Sequence, residues 1–195
     1  MGRRATYSTE ALVSAAVELF AGGGVRALTM TAVARAVGAP SGSVYHRFPD
    51  RPALLAAVWL YTVRDFQAGY WGALGPEPSV EAAIGAGEWM VDWCRENPAA
   101  AAVLQAGPHA FAPESWSAES AQTLKELQDK QTREIKSLVD RISTRTGLPR
   151  DQTRFALFDL PLAVVRPYLI AGKRPPQRSR AMVRDLTAAI LGSGR

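Results

Sequence analysis

The sequence has little of what catalysis and metal binding usually require. Its 195 residues contain one cysteine, Cys94, and two histidines, His46 and His109. A single cysteine excludes an internal disulfide framework, and clusters of metal ligands with finger-like spacing are missing. The HExxH, GxGxxG, GxSxG and P-loop patterns of common enzyme families are also absent. We therefore expect that the protein is not an enzyme and holds neither a metal nor a cofactor.

Long apolar runs are missing as well. No run approaches the roughly 18 apolar residues that a membrane span needs, and no apolar segment follows Arg3 and Arg4, as a secretory signal would require. Hydrophobic residues make up 47% of the chain and charged residues 21%, which is typical of soluble globular proteins. The single cysteine suits a reducing compartment. We expect a cytoplasmic protein with no membrane partner.

Acidic residues are scarce in the first quarter of the chain. Residues 1–51 carry six arginines against three acidic residues, whereas the other 144 residues contribute only +2 to the total net charge of +5. The isoelectric point is near 9.7. This basic excess fits an anionic partner such as nucleic acid. A solvated basic face would give the same excess, so charge alone does not distinguish nucleic-acid binding from an ordinary polar surface.

Apolar residues recur at helical spacing along the whole chain, with no strand pattern and no internal repeat. The periodicity predicts an all-α fold of about nine helices. After an arm at residues 1–7, Thr9 is the expected N-cap of the first helix, and the glycines at 22–24 end it. A second helix starts behind the N-cap Thr29 and ends at 38–40, where Gly-Ala-Pro stands.

A third helix is predicted from about Ser41 to Arg47. Seven residues are too few for a stable isolated helix, so packing through Val44 and Phe48 has to hold it in place. Three helices with a short turn between the second and third are the outline of a helix-turn-helix. We therefore expect the third helix to enter the major groove of DNA.

The side chains of this third helix are short or form hydrogen bonds. Ser41 and Ser43 near its start suit contacts with base edges, while Tyr45 and His46 suit phosphate oxygens. Gly42 costs roughly 1 kcal/mol against alanine, which predicts a close approach to the second helix or to the DNA backbone. The alternative is structural: the serines serve the turn and the cap, Tyr45 is half-buried core, and His46 is an ordinary surface residue.

The next helix begins with a further candidate phosphate site. Asp50 is its expected N-cap, and Pro52 is tolerated in its first turn. Arg51 and the free N–H groups of that turn would bind a phosphate. This helix is predicted from Ala53 to about Gly69, with a break at residues 70–78 because two glycines and two prolines stand there.

The combined pattern resembles the N-terminal domain of TetR-family transcriptional regulators over roughly residues 8–60. The residues that carry the resemblance are Thr29, Val33-Ala34, Gly38, Gly42, Tyr45-His46 and Phe48, preceded by Leu19-Phe20 and Gly24. The resemblance implies a homodimer, a palindromic operator, and a C-terminal domain whose small effector weakens DNA binding. It also implies phosphate contacts for Thr29 and Tyr45, a base contact for Ser43 and a backbone contact for His46. Pro40 and Ser41 depart from the family pattern, where a small polar cap and a longer polar or basic residue are common.

Two domains are predicted: a helix-turn-helix DNA-binding domain at 1–51 and an effector-binding and dimerisation domain at 52–195. The last two helices, at about 151–171 and 177–191, are apolar on one face. They either cap the core or form a four-helix dimer bundle with a second copy, and the resemblance favours the bundle.

The second domain is rich in aromatic residues, which suits a largely hydrophobic or aromatic effector. Aromatic stripes are also typical of an ordinary core, and this alternative stays open for each residue. The candidate pocket residues are Trp59, Phe66, Trp89, Asp92, Trp93, Gln105, His109, Phe111, Phe155 and Asp159.

The main hypothesis is a ligand-responsive transcriptional repressor that binds double-stranded operator DNA as a homodimer. One alternative keeps the DNA-binding head but has no inducer, as in a constitutive or activating regulator. Another alternative is a helical protein that binds a small molecule and whose head has lost DNA binding.

Overall fold

Every regular element among residues 7–192, the part of the chain that the computed structural model describes, is a helix or a helical turn. This confirms the predicted all-α fold. The nine α-helices of these residues are α1 Thr9–Gly23, α2 Met30–Val37, α3 Ser41–Arg47, α4 Arg51–Leu74, α5 Val80–Glu96, α6 Pro98–Ala106, α7 Ala118–Thr146, α8, and α9 Arg178–Gly192. Helix α8 consists of Arg150–Arg154, a π turn at Phe155–Asp159, and Leu160–Ile170. Most of the predicted N-terminal arm lies outside the described residues.

The chain divides into two compact units. The first contains residues up to Val63 together with Ala102–Lys125, and the second contains Arg64–Ala101 together with residues from Glu126 onward. Helices α4, α6 and α7 each contribute residues to both units. The functional division into residues 1–51 and 52–195 stays a prediction.

Capping side chains fix where the first helices begin. The prediction of Thr9 as the N-cap of α1 was wrong: Ser8 has the extended backbone of a cap, and its hydroxyl accepts from the amide of Ala11 at 3.2 Å. Thr29 caps α2 as predicted, accepting from the amide of Ala32 at 3.1 Å. In α2 the end is set by Gly38, whose φ of 68° places it in the left-handed region that favours glycine.

The core of the helix-turn-helix is apolar and closely packed. Helix α1 contributes Leu12 and Phe20, α2 contributes Val33, and α3 contributes Val44, all of them buried. Phe48, directly after α3, is buried as well. The packing that the short third helix needs is therefore present, and it leaves the opposite face of α3 in solvent.

Helix α4 extends further than the sequence predicted. We expected a break from residue 70, but the helix continues to Leu74. Tyr70 and Leu74, one turn apart, are both buried in the core of the second unit. Their burial outweighs the unfavourable helix propensity of Gly72, since each large apolar side chain contributes about 1.5–3 kcal/mol. Gly75, with a φ of 69°, then ends the helix.

The π turn in α8 follows from a proline in the hydrogen-bond ladder. Pro161 has no N–H to donate to the carbonyl of Leu157, four residues earlier. The amide of Leu160 donates instead to the carbonyl of Phe155, five residues earlier, as in a π-helix. Pro161 thus accounts for the π turn, which ends two residues before it.

Two hydroxyl groups from other helices complete the hydrogen bonding of this turn. Tyr70 on α4 donates to the carbonyl of Leu157 at 3.3 Å, and Thr187 on α9 donates to the carbonyl of Ala156 at 3.4 Å. Both hydroxyls are buried. They satisfy carbonyls that would otherwise lose a partner, at a cost of about 1–3 kcal/mol each.

Helices α5 and α9 pack closely in the second unit because a glycine stands between them. A Cβ atom on Gly87 would come within 2.9 Å of the Val183 side chain. Beside this contact, the buried carboxylate of Glu88 pairs with Arg184 at 2.6 Å and with Arg180 at 3.4 Å. No helix among residues 7–192 is long and apolar enough to cross a membrane.

Candidate DNA-binding surface and ligand pocket

Helix α3 presents its polar face to solvent. Ser41, Gly42, Tyr45 and His46 are exposed, and Ser43 is half-buried. Tyr45 is 54% exposed although its ring is large and apolar. The structural alternative of a half-buried core tyrosine does not fit this exposure. These five residues form a continuous surface, which we call the α3 surface.

The turn into α3 leaves the start of this helix accessible. Pro40 occupies the N-cap position and supplies no side-chain hydrogen bond, while its carbonyl accepts from the amide of Ser43 at 2.9 Å. The hydroxyls of Ser41 and Ser43 therefore do not cap α3. The structural alternative in which both serines serve the cap loses its support.

Gly42 has open space where a side chain would stand. A Cβ atom built on Gly42 meets no atom within 4 Å. Of the two predicted reasons for this glycine, close approach to the second helix is wrong, because α2 does not occupy that space. Close approach of DNA stays a prediction.

Tyr7 ties the start of the chain to the helix-turn-helix. Its hydroxyl donates to the carbonyl of Gly38, at the end of α2, with a distance of 2.9 Å. This bond joins residues 31 positions apart, directly before the turn that leads into α3. No feature of the sequence pointed to it, since a single tyrosine before a helix has many uses.

Thr29 and Arg51 lie at the starts of α2 and α4. The Thr29 side chain is exposed, and its oxygen accepts from the amide of Ala32, so its hydroxyl proton is still available to a phosphate. Arg51 donates through Nε to the carbonyl of Leu28 at 2.8 Å and through Nη2 to the carbonyl of Val25 at 2.6 Å. The guanidinium thus holds the loop before α2, a role that the sequence did not reveal.

A pocket of about 290 Å³, part of it open to solvent, lies among α4, α5, α7 and α8 in the second unit. Its lining is Phe66, Gln67, Tyr70, Trp71, Met90, Gln131, Ile135 and Phe158. Six of these eight side chains are aromatic or apolar, and the other two are neutral amides. Such a lining is typical of small-molecule sites, which combine a large apolar surface with a few polar groups.

One of the ten predicted pocket residues, Phe66, lines this pocket. Trp89 and Trp93 pack against Phe66, with ring centroids at 5.5 Å and 4.9 Å. Trp89 also lies against Gly69, where a Cβ atom would clash with the indole. The two tryptophans therefore support the pocket wall from behind.

Four of the predicted residues belong to the first compact unit. The rings of Trp59 and Phe111 lie 5.5 Å apart, and both side chains are buried as core. Gln105 is half-buried near the end of α6, and His109 is exposed in the 3-10 turn Pro108–Phe111.

Three further predicted residues lie outside the pocket lining in the second unit. Asp92 pairs with Arg180 at 3.0 Å, and Asp159 pairs with Arg154 at 3.2 Å. Phe155 is 46% exposed, on the π turn of α8.

Tyr70 and Trp71 were missed because α4 was expected to end before them. Tyr70 and Trp71 follow Phe66 and Gln67 by one helical turn, so the four residues share a face only if the helix continues past residue 69. Gln131, on the long and mostly polar α7, carried no signal of its own. Its place in the wall follows from how α7 packs.

Cys94 is buried, and burial raises the pKa of its thiol to about 12. The thiol is therefore neutral at physiological pH and a poor nucleophile or metal ligand. Among residues 7–192 no group of three or more His, Cys, Asp or Glu side chains could hold a metal ion.

Comparison with known proteins points to one family. Residues 12–58 match the family model of bacterial regulatory proteins of the tetR family. No curated protein sequence matches the chain.

Solved structures share the fold over more than nine-tenths of the chain. PfmR of Thermus thermophilus, a TetR-family transcriptional regulator, is 21% identical with a TM-score of 0.67, over 92% of this chain and 96% of PfmR. KstR2 of Mycobacterium tuberculosis, a ketosteroid transcriptional regulator, is 21% identical with a TM-score of 0.67, over 98% of each chain. FadR of Bacillus subtilis, solved in complex with stearoyl-CoA, is 15% identical with a TM-score of 0.70, over 96% of this chain and 100% of FadR.

The family match covers the helix-turn-helix, and the structural likeness extends from there over the remaining helices. No enzyme family is indicated. Residues 12–58 therefore form a helix-turn-helix of the tetR type, and the remaining helices share their fold with solved TetR-family regulators.

Proposed function

We propose that this protein is a TetR-family transcriptional repressor that binds a palindromic operator as a homodimer and leaves it when a small, largely apolar effector binds. The observation that carries the proposal is the α3 surface, a polar and exposed face on a helix whose other face is buried in the head. Because the proposed target is chromosomal DNA, the protein acts in the cytoplasm.

The α3 surface divides its contacts between bases and phosphates. Ser41 and Ser43, near the start of the helix, read base edges, since a hydroxyl pairs with either a donor or an acceptor. Tyr45 and His46 donate to phosphate oxygens from the exposed face. Thr29, with its hydroxyl proton available at the start of α2, adds a further phosphate contact.

Arg51 has a different part in this proposal from the one that the sequence predicted. Two of its guanidinium nitrogens donate to Val25 and Leu28, in the loop that leads into Thr29. Hydrogen bonds from a charged donor are worth about 1.5–3 kcal/mol. Arg51 therefore acts as a positioning residue for the start of α2, and a direct phosphate contact stays a prediction.

The dimer forms through the last two helices. Five large hydrophobic side chains of α8 and α9 are exposed, namely Phe155, Leu162, Ile170, Met182 and Leu186. On α9, Met182 and Leu186 are four residues apart and share one face. Exposed apolar surfaces of this kind mark interaction sites, and two such helix pairs suit a four-helix bundle. Two heads then read two half-sites about one DNA turn apart.

The pocket is the effector site in this proposal, and α4 links that site to the helix-turn-helix. FadR of Bacillus subtilis was solved with stearoyl-CoA, and KstR2 is a ketosteroid regulator. Both names support a largely apolar effector. Helix α4 carries Arg51 at its first turn and four pocket residues, from Phe66 to Trp71, further along. An effector that prefers one position of α4 shifts the population of DNA-binding states by its difference in affinity for those states.

Selection of bound DNA from random duplexes tests the DNA-binding part. We expect a palindromic consensus and two chains per duplex. Against the selected duplex and single-base variants of it, Tyr45→Phe weakens binding to all sequences alike. Ser43→Ala instead relaxes the base preference at one position in each half-site. If no duplex is retarded even at low salt, the head has lost DNA binding and the rival hypothesis of a small-molecule-binding protein is favoured.

Charge placed on the proposed dimer face tests the dimer. Leu186→Asp should yield monomers in sedimentation, with a head that still unfolds cooperatively. Lys136→Asp, an exposed charge change on α7, serves as the control and should leave the dimer intact. A Leu186→Asp protein that stays dimeric would place the interface elsewhere.

A further inference from the structure

The pocket lining has no charged side chain. Phe66, Tyr70, Trp71, Phe158 and two further apolar residues make most of the wall. The polar groups are the amides of Gln67 and Gln131, the hydroxyl of Tyr70 and the indole N–H of Trp71. The question is which of these groups can recognise a ligand.

The Tyr70 hydroxyl is already engaged. It donates to the carbonyl of Leu157 in the π turn at 3.3 Å, and its side chain is 4% exposed. Burial raises the pKa of this phenol, so it stays neutral. The indole of Trp71 can only donate, so recognition of a polar ligand group that also needs an acceptor falls to Gln67 and Gln131, which are half-buried. A primary amide both donates and accepts, so it reads a neutral polar group at least as well as a charged one.

Two pairs of charged residues lie near the lining residues in sequence. Lys130, beside Gln131, lies 3.7 Å from Glu134. Arg154, just before the π turn, pairs with Asp159, just after Phe158, at 3.2 Å. None of these four belongs to the pocket lining. A carboxylate or ammonium inside the pocket would thus be desolvated with no opposite charge, which is unfavourable.

The size of the pocket limits the ligand as well. The 290 Å³ includes open solvent, and the cavity volume itself is only about 40 Å³, well below the roughly 300–1,000 Å³ of sites that enclose a drug-sized ligand. A ligand must therefore be small, and part of it stays in solvent. Aromatic walls on several sides suit flat rings, because ring pairs prefer stacked or edge-to-face contact.

We propose that this pocket selects an uncharged molecule of one or two rings, whose neutral polar group is hydrogen-bonded by Gln67 and Gln131. The inference rests on the proposed effector function and adds the class of ligand. The two glutamines, one from α4 and one from α7, set the specificity, and the aromatic wall supplies most of the affinity.

A matched series of probes tests the proposal in the full-length protein without DNA. The probes are 2-naphthamide, 2-naphthoate and naphthalene, which share one ring system and differ only in the polar group. Binding is measured by calorimetry and by tryptophan fluorescence, since Trp71 lines the pocket. We expect 2-naphthamide to bind at least tenfold more tightly than 2-naphthoate.

Substitution of the glutamines separates recognition from packing. Gln67→Leu combined with Gln131→Leu should weaken 2-naphthamide at least fivefold while naphthalene binds as tightly as before or more tightly. Gln131→Arg should raise the affinity for 2-naphthoate, because it supplies the missing positive charge. Thermal unfolding of each variant confirms that it is folded, and Lys136→Ala on α7 serves as the control.

The possible results are decisive. The proposal is overturned if 2-naphthoate binds wild-type protein as tightly as 2-naphthamide, if 2-naphthamide does not bind, or if the double substitution leaves its affinity unchanged. Release of the selected operator duplex is measured separately. Selective binding of 2-naphthamide without release would support this ligand specificity and count against the proposed effector function. Operator release by some other compound, without binding of 2-naphthamide, would support the proposed effector function and overturn this ligand specificity.

Discussion

Replacement of Gly42 by alanine should stabilise the protein and weaken its binding to DNA. Gly42 is the second residue of α3, its φ is not positive, and an added Cβ atom meets nothing within 4 Å. Alanine in place of glycine inside a helix is worth roughly 0.5–1 kcal/mol. For a chain of this size, that raises the melting temperature by about 1–4 °C.

The same methyl group occupies the space that we assign to DNA. Forcing an extra methyl into a close-packed contact costs about 1–3 kcal/mol, so affinity for the operator should fall roughly 5- to 150-fold. Fluorescence anisotropy with the selected duplex at one fixed salt concentration measures the affinity, and calorimetry measures the melting temperature.

Gly85→Ala is the matched control for this experiment. Gly85 lies inside α5, and a Cβ atom built on it also meets nothing within 4 Å. We expect a similar gain in melting temperature and no change in affinity for DNA. If Gly42→Ala binds the operator as wild type does, DNA does not approach this position closely, and the assignment of the α3 surface is refuted.

Three further predictions follow from single contacts. Arg51→Ala should lower the free energy of unfolding by about 2–3 kcal/mol and weaken DNA binding. The slope of log affinity against log salt concentration should stay nearly constant. A slope smaller by about one unit would instead show a phosphate contact. Tyr70→Phe removes the donor to the π turn and should cost about 1 kcal/mol of stability, a loss of about 2–4 °C in calorimetry, and an unchanged melting temperature would contradict that hydrogen bond. Because the pKa of Cys94 is about 12, a thiol reagent at pH 8 should label the folded protein roughly a thousandfold more slowly than the denatured one, and comparable rates would show that the thiol is accessible and ionised.

The head could be predicted from sequence because its signals are local. Thr29 and Asp50 cap helices within three residues of themselves, and Gly38 ends α2 through its own backbone angle. Because these residues fix the helix ends, their spacing predicts the three helices of the head and the short turn between the second and third. The error at Thr9 has the same origin, since Ser8 and Thr9 are equally good caps by residue type, and only the backbone shows that the helix begins at Thr9.

The pocket could not be predicted in the same way, because its residues come together only through packing. Tyr70 lies in a stretch with two nearby glycines, which argues against a helix until its burial is known. Gln131 differs in no way from the other polar residues of α7. The roles of Arg51 and Tyr7 depend on carbonyl groups 26 and 31 residues away, and no pattern of residue types announces a backbone acceptor.

The small size of the pocket constrains how an effector could release the operator. A hundredfold loss of DNA affinity requires an effector that binds the released state about 2.8 kcal/mol more tightly than the DNA-bound state. A two-ring ligand at about 0.5 kcal/mol per non-hydrogen atom has roughly 6–7 kcal/mol of binding free energy in total. In the DNA-bound state the effector must therefore lose over a third of its binding free energy. A slight narrowing of the pocket does not cause so large a loss. A displacement of the α4 residues from Phe66 to Trp71 would remove that much contact, because these four side chains make half of the lining. By reciprocity, saturating operator DNA must lower the affinity for the effector by the same factor by which the saturating effector lowers the affinity for DNA. Two unequal factors would show that ligand and DNA do not act on one shared equilibrium.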